Sequence, residues 1–172
     1  MLRRLILVMV CLLPLAATAA TGRDPYSFFF NDTFGNFKEE LQLAGEQKKQ
    51  AILVFYEMDE CPFCHYMKQN VLNQPEVQEY YRAHFLNFPV DIEGDVEVTD
   101  FSGSQTTQKE MAKAARVRAT PVIAFYDLHG KEIYRYTGRT SGVAEFLLVG
   151  RYVAEGHYKN EPFVKYKREH RN

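Results

Sequence analysis

The chain has 172 residues, 46% of them apolar and 14% aromatic, enough for one domain whose core does not depend on disulfide staples. Its formal charge is −1 at pH 7, and residues 20–156 alone carry 14 Lys/Arg against 20 Asp/Glu, a balance that argues against nucleic acid as a partner. Residues 157–172, with five Lys/Arg and two Asp/Glu, form a basic C-terminal tail expected to lie in solvent.

Met1-Leu2-Arg3-Arg4 is a basic leader, residues 5–15 are apolar, and Ala17-Thr18-Ala19 is a small-x-small cleavage site. Together they read as a signal peptide over 1–19. The apolar stretch is too short, and too interrupted by Pro14, to span a membrane well. Cys11 would leave with the leader, so of three cysteines the mature chain keeps Cys61 and Cys64. The expected location is periplasmic or secreted, where an unprotected cysteine pair tends to become a disulfide.

The aromatic run Tyr26 to Phe30 suits a short strand. Asn31 and Asp32 are good N-cap residues, and Phe34, Phe37, Leu41 and Ala44 recur at helical spacing, predicting an amphipathic helix to about Lys48. Ala51 to Tyr56 lacks polar alternation, as a central strand buried on both faces does. From Cys64 the pattern is helical through Met67, Val71 and Leu72. Pro75 interrupts it, and the helix restarts past Val77, Tyr80 and Tyr81. Phe85 to Ile92 is the next strand. Residues 93–106 read either as a small hairpin using Val96, Val98 and Phe101 or as a solvated loop. Thr107 and Glu110 make a capping box for a helix over Met111, Ala112, Ala115 and Val117. Pro121 opens the buried strand Val122 to Tyr126, which pairs in a hairpin with Glu132 to Tyr136. A last helix carries Val143, Phe146, Leu147, Val149, Tyr152 and Val153.

Asp59-Glu60-Cys61-Pro62-Phe63-Cys64-His65 is the stretch that carries chemistry. Two cysteines separated by two residues at the start of a helix read as a redox-active dithiol, because free N–H groups and the helix dipole stabilise a thiolate there. Cys61 is then the nucleophile and Cys64 the resolving thiol. Three other readings remain open. Cys61, Cys64 and His65 also spell the attachment motif of c-type haem, which would make an electron-transfer protein. The pair could be half of a zinc site, although no second cysteine pair follows and no metal is expected. It could also be a structural disulfide in a non-catalytic binding module. His65 is expected to face solvent.

The order strand, helix, strand, Cys-x-x-Cys helix, strand, helix, Thr-Pro strand, hairpin strand, helix resembles the thioredoxin fold over about 26–155. That is an α/β fold with a central mixed β-sheet flanked by helices, with an insertion before the third helix at about 93–106. More closely, Cys61-Pro62-Phe63-Cys64, Pro75-Glu76-Val77, Val117-Arg118-Ala119-Thr120-Pro121 and the run from Phe146 to Gly156 resemble exported thioredoxins of the SoxW type. The resemblance implies a domain over 20–156 and a thiol–disulfide oxidoreductase that reduces protein disulfides with no cofactor beyond its own Cys61–Cys64 disulfide. It also implies a membrane thiol–disulfide transporter as electron donor. Pro62, Phe63, Thr120 and Pro121 would shape the site, with a cis bond before Pro121. Ordinary thioredoxins bury an acid six positions before the first cysteine; here that position is Phe55. Glu57, two residues on and on the same side of the strand, is the candidate proton acceptor. The alternative is an exposed glutamate just past the strand end.

Overall fold

In the computed structural model, residues 22–170 are described, so the expected leader and Cys11 lie outside the described residues. The elements in chain order are α1 (Pro25–Phe28), α2 (Phe37–Glu46), β1 (Ala51–Glu57), α3 (Pro62–Asn70), α4 (Pro75–His84), β2 (Phe85–Asp91), β3 (Glu97–Thr99), β4 (Gln105–Thr107), α5 (Gln108–Ala114), β5 (Val122–Tyr126), β6 (Glu132–Thr137), α6 (Val143–Ala154), a 3-10 turn (His157–Lys159) and α7 (Phe163–Glu169). Four strands form one mixed sheet in the order β2-β1-β5-β6. β1 runs parallel to β2 and antiparallel to β5, and β5 pairs antiparallel with β6.

Every residue of β1 is buried, which is why its sequence shows no polar alternation. Its side chains still alternate between two cores. Ile52, Val54 and Tyr56 pack with Phe37, Leu41 and Ala44 of α2 and with Met111 and Ala112 of α5. Ala51, Leu53 and Phe55 share the other core with both cysteines, Met67, Tyr81, Phe146 and Val149. The second core therefore carries the dithiol into the body of the protein. The outer edge of β2 is closed against strand addition. Asn87 exchanges bonds with Asn31, Pro89 has no N–H to offer, and Asp91 N–H donates to Gln108 Oε1 at 2.7 Å.

The structure differs from the sequence reading at three places and decides a fourth that the sequence left open. The run expected as a first strand is instead helix α1, because Asp24 caps it, accepting Ser27 N–H at 3.0 Å, and Pro25 sits at its first position. Phe29 and Phe30 follow it into the core, against Tyr81, Phe146 and Phe55. The next helix starts at Phe37 and not near Phe34. Its cap is Asn36, and Gly35 before it lies at φ +80, a left-handed conformation that holds Phe34 out of the helix and fully in solvent. Residues 93–106 resolve to the hairpin reading, with β3 pairing β4 and Val98 buried beneath. The basic tail is not a solvated strand of chain. It ends in α7, whose Tyr166 is buried and whose Phe163 packs on Tyr134, Tyr136 and Tyr152.

Candidate active site

Helix α3 begins on a sulfur. Cys61 is its N-cap, in extended conformation, and Pro62 takes the first helical position, where no N–H is needed. Cys61 Sγ accepts the backbone N–H of Cys64 at 3.0 Å, the role that a serine or aspartate oxygen usually plays at a helix start. Cys61 and Cys64 are joined as a disulfide with Cα atoms 5.2 Å apart. Cys64 is wholly buried and Cys61, at the end of the helix, is 2% exposed. Phe63 stands half out of the surface beside them, and Asp59 and Glu60 on the approach to Cys61 are both exposed.

Pairing of Tyr56 with Val122 sets Pro121 beside the end of β1, the end from which the chain turns to Cys61. The Thr120–Pro121 bond is cis, as the family resemblance implies. Pro121 O accepts the N–H of Gly138 at 2.8 Å, and the next residue reaches across to α3. There the Arg139 guanidinium lies 5.7 Å from the centre of the Phe63 ring and 4.6 Å from that of Tyr66, at cation–π distance. Thr140, fully buried, rests its hydroxyl on Met67 Sδ at 3.5 Å. The structure thus brings Cys61, Cys64, Pro62, Phe63, Thr120 and Pro121 to one end of the sheet. Arg139 was not legible in the sequence, since only the β5–β6 pairing carries it to α3.

Glu57 is neither past the strand end nor exposed. It closes β1 at 8% exposure, on the Phe55 face. Its carboxylate is also engaged: Oε1 accepts from the Tyr26 hydroxyl at 3.1 Å, and Oε2 lies 2.6 Å from Lys68 Nζ. Lys68 Nζ in turn donates to the Tyr26 oxygen at 2.9 Å. Lys68 comes four residues after Cys64, one turn along the same helix face. Burial pulls the Lys68 ammonium down, but its bonds to Glu57 and Tyr26 outweigh this and leave its pKa raised, so the cation persists. Burial also raises the Tyr26 phenol, which stays a neutral donor. The sequence pointed to Glu57 but missed both partners. Lys68 had a signal, its spacing from Cys64; Tyr26 had none once its segment was read as a strand.

His65 is exposed, and its Nε2 donates to the Asp59 carbonyl at 2.8 Å. It therefore pins the turn ahead of Cys61. Nε2 is thus engaged by the backbone, while the two sulfurs are bonded to each other. Among the described residues no three His, Cys, Asp or Glu side chains are grouped as metal ligands.

No curated protein matches the chain by sequence. Solved structures do. A thioredoxin from Thermus thermophilus is 26% identical, with a TM-score of 0.56 over 80% of this chain and 95% of its own. A thioredoxin-fold protein from Helicobacter pylori is 24% identical, with a TM-score of 0.57 over 71% of this chain and 86% of that one. DsbH oxidoreductase is 19% identical, with a TM-score of 0.57 over 75% of this chain and 88% of its own. The last two attest the fold alone. Residues 37–154 match the thioredoxin-like domain family, leaving α1 and α7 as additions on either side. With its Cys-x-x-Cys pair capping a helix beside a cis-proline corner, the chain belongs to the thioredoxin-like domain family.

Proposed function

We propose that this chain is an exported thiol–disulfide oxidoreductase that reduces protein disulfides through Cys61 and Cys64. The observation that carries the reading is Cys61 Sγ at the start of α3, accepting the Cys64 N–H with the second sulfur sealed behind it. In the reduced protein that N–H and the helix dipole favour the Cys61 thiolate. The thiolate attacks one sulfur of the substrate disulfide, forming a mixed disulfide and expelling the other substrate sulfur as a thiolate. Cys64 then gives up its proton and attacks Cys61 Sγ, releasing the second substrate sulfur and closing the Cys61–Cys64 disulfide. Two electrons pass to the substrate, whose thiolates take up two protons.

Glu57 is the proton acceptor for Cys64 in this scheme. It lies on the face of β1 that packs toward the cysteines, and Lys68 and Tyr26 hold its carboxylate in place. Thr120, half-buried ahead of Pro121, offers its backbone to an extended substrate segment as an added strand. Each turnover leaves the protein oxidised, so work as a reductant in an oxidising compartment requires a donor, and a membrane thiol–disulfide transporter is the class of partner that fits. Asp59 and Glu60 disfavour the thiolate and Phe63 supplies no positive charge. The potential is expected to lie well below the roughly −120 mV of the strongest exported oxidants.

Near-complete burial of the pair is also what a structural disulfide in a binding module would show, and an activity assay separates the two. Catalysed reduction of insulin by dithiothreitol, abolished by Cys61→Ser, is the expected result. A wild-type protein that leaves the insulin rate unchanged would make the module reading the better one.

A further inference from the structure

At the same end of the sheet as the dithiol lies a groove of about 380 Å³ with an apolar floor of Ile92, Ala112 and Val117 and a rim of Lys109, Lys113, Arg116 and Arg118. Its place is set by two chain connections. Ile92 N–H donates to Glu57 O at 2.9 Å, so the floor begins where β1 hands over to the Cys61 loop. Arg118 stands two residues before Thr120. All four rim cations are exposed, on a body in which residues 20–156 hold 20 acidic side chains against 14 basic ones.

These cations are not matched from within. Among the described residues Lys113 has a carboxylate, the exposed Glu110 at 3.2 Å, while no ion pair reaches Lys109, Arg116 or Arg118. Acidic side chains are close in sequence, Asp91, Glu93, Asp95, Glu97 and Asp100. Of these, Asp91 accepts the Glu93 N–H, and Asp100 accepts those of Ser102 and Ser104, each bracing its own turn. Helix stability does not account for the cluster either. A cation near the end of α5 suits the dipole, which covers Lys113, but Lys109 sits in the first turn, where a cation is unfavourable. Arg116, at φ +57, and Arg118 both lie beyond the helix.

Resting on the oxidoreductase reading, we propose that this groove docks an acidic segment of the protein partner whose disulfide is exchanged at Cys61. A peptide strand laid along Thr120 continues past Arg118 onto the rim, so its carboxylates meet the four cations while its apolar side chains reach the floor. Complementary charge of this kind raises the encounter rate and selects among partners more than it tightens the final complex, and salt weakens it.

The test uses the full mature chain and three disulfides: a peptide with Glu and Asp flanking its cysteines, the same peptide with Lys and Arg there, and neutral hydroxyethyl disulfide. For Lys109→Gln/Lys113→Gln/Arg116→Gln the expected result is a fall of about tenfold in kcat/KM on the acidic peptide, with hydroxyethyl disulfide unchanged. High salt should lower the wild-type rate on the acidic peptide in the same way. An unchanged rate on the acidic peptide, or an equal fall on the basic one, would overturn the proposal. So would a variant that loses binding to anionic phospholipid vesicles while reducing all three disulfides as the wild type does. If the wild type reduces none of the three, the oxidoreductase reading fails. Fluorescence anisotropy of the labelled acidic peptide then decides the groove alone: tighter binding to wild type than to the variant supports it, and equal binding sinks it.

Discussion

Two buried glutamates in this protein are held by the same set of groups. Glu57 at the end of β1 meets Lys68 and the Tyr26 hydroxyl, and Glu145 in the first turn of α6 meets Lys167 and the Tyr136 hydroxyl. Both are 8% exposed. In each trio one member comes from a segment outside the family match of residues 37–154, Tyr26 from α1 and Lys167 from α7, so both ion pairs fasten an addition to the common domain. The difference lies in the donors. Glu145 also accepts the backbone N–H of Ser141 at 2.7 Å, reaching back over the helix start as a capping glutamate does. Burial pushes its carboxyl up, but the bonds from Lys167 and Ser141 prevail and bring it to about 2. Among the described residues Glu57 has no backbone donor, and it sits on the core face that holds both sulfurs. The same chemistry is therefore a fastening at α6 and, on our account, a working group at β1.

Replacing each glutamate by glutamine gives the largest contrast. Glu57→Gln is expected to slow insulin reduction about a hundredfold at neutral pH, the lower end of what a positioned proton acceptor contributes, and to flatten the pH–rate profile. Glu145→Gln should leave the rate alone and lower the melting temperature. An unchanged profile in Glu57→Gln would remove the distinction between the two sites.

Removing the cations comes next. Lys68→Met strands a buried carboxylate that keeps only the Tyr26 hydroxyl, at a cost of about 2 kcal/mol, or about 4–8 °C in melting temperature. Lys167 is more exposed than Lys68, at 32% against 17%, and Glu145 keeps two other donors without it. Lys167→Met should cost about 1 kcal/mol. Thermal melts of the two variants side by side check the order.

A pH titration sharpens the same comparison. Because the folded Glu145 carboxyl titrates near 2 against an ordinary 4.5, its contribution to stability is complete above about 4.5 and drains away as pH falls toward 2. Urea unfolding across that window should show wild type losing more stability than Glu145→Gln. The smallest effects belong to the hydroxyls. Tyr26→Phe and Tyr136→Phe should each cost about 0.5–1.5 kcal/mol, and only Tyr26→Phe should also lower the rate of disulfide reduction.

The central strand, the dithiol helix and the strand opened by Pro121 were legible because each rests on a local signal: an unbroken apolar run, a cysteine spacing, a Thr-Pro before a strand; the cis bond before Pro121 came only from the family resemblance. What escaped was either a local signal masked by a stronger neighbouring pattern or a placement that depends on contacts distant in sequence. Asp24-Pro25 is a helix start that the aromatic run behind it masked. Phe34 keeps helical spacing but is cut off by the conformation of Gly35. α7 offers only Phe163 and Tyr166 as anchors among its lysines, too few to show a periodicity. At the site, Glu57 was named from the family's missing acid at Phe55 together with strand alternation, whereas its burial depends on α1 closing over the strand end. Arg139 reaches the Phe63 ring only through the pairing of β5 with β6. The groups that a family pattern names were readable; the groups that this chain adds to the pattern were not.

The claim that Cys61 attacks and Cys64 resolves is tested most directly by trapping. Cys64→Ser, reduced and then mixed with oxidised insulin, should accumulate a covalent complex on Cys61 that dithiothreitol releases, and Cys61→Ser should form none. A complex held on Cys64, or none on either variant while wild type turns over, would contradict the account.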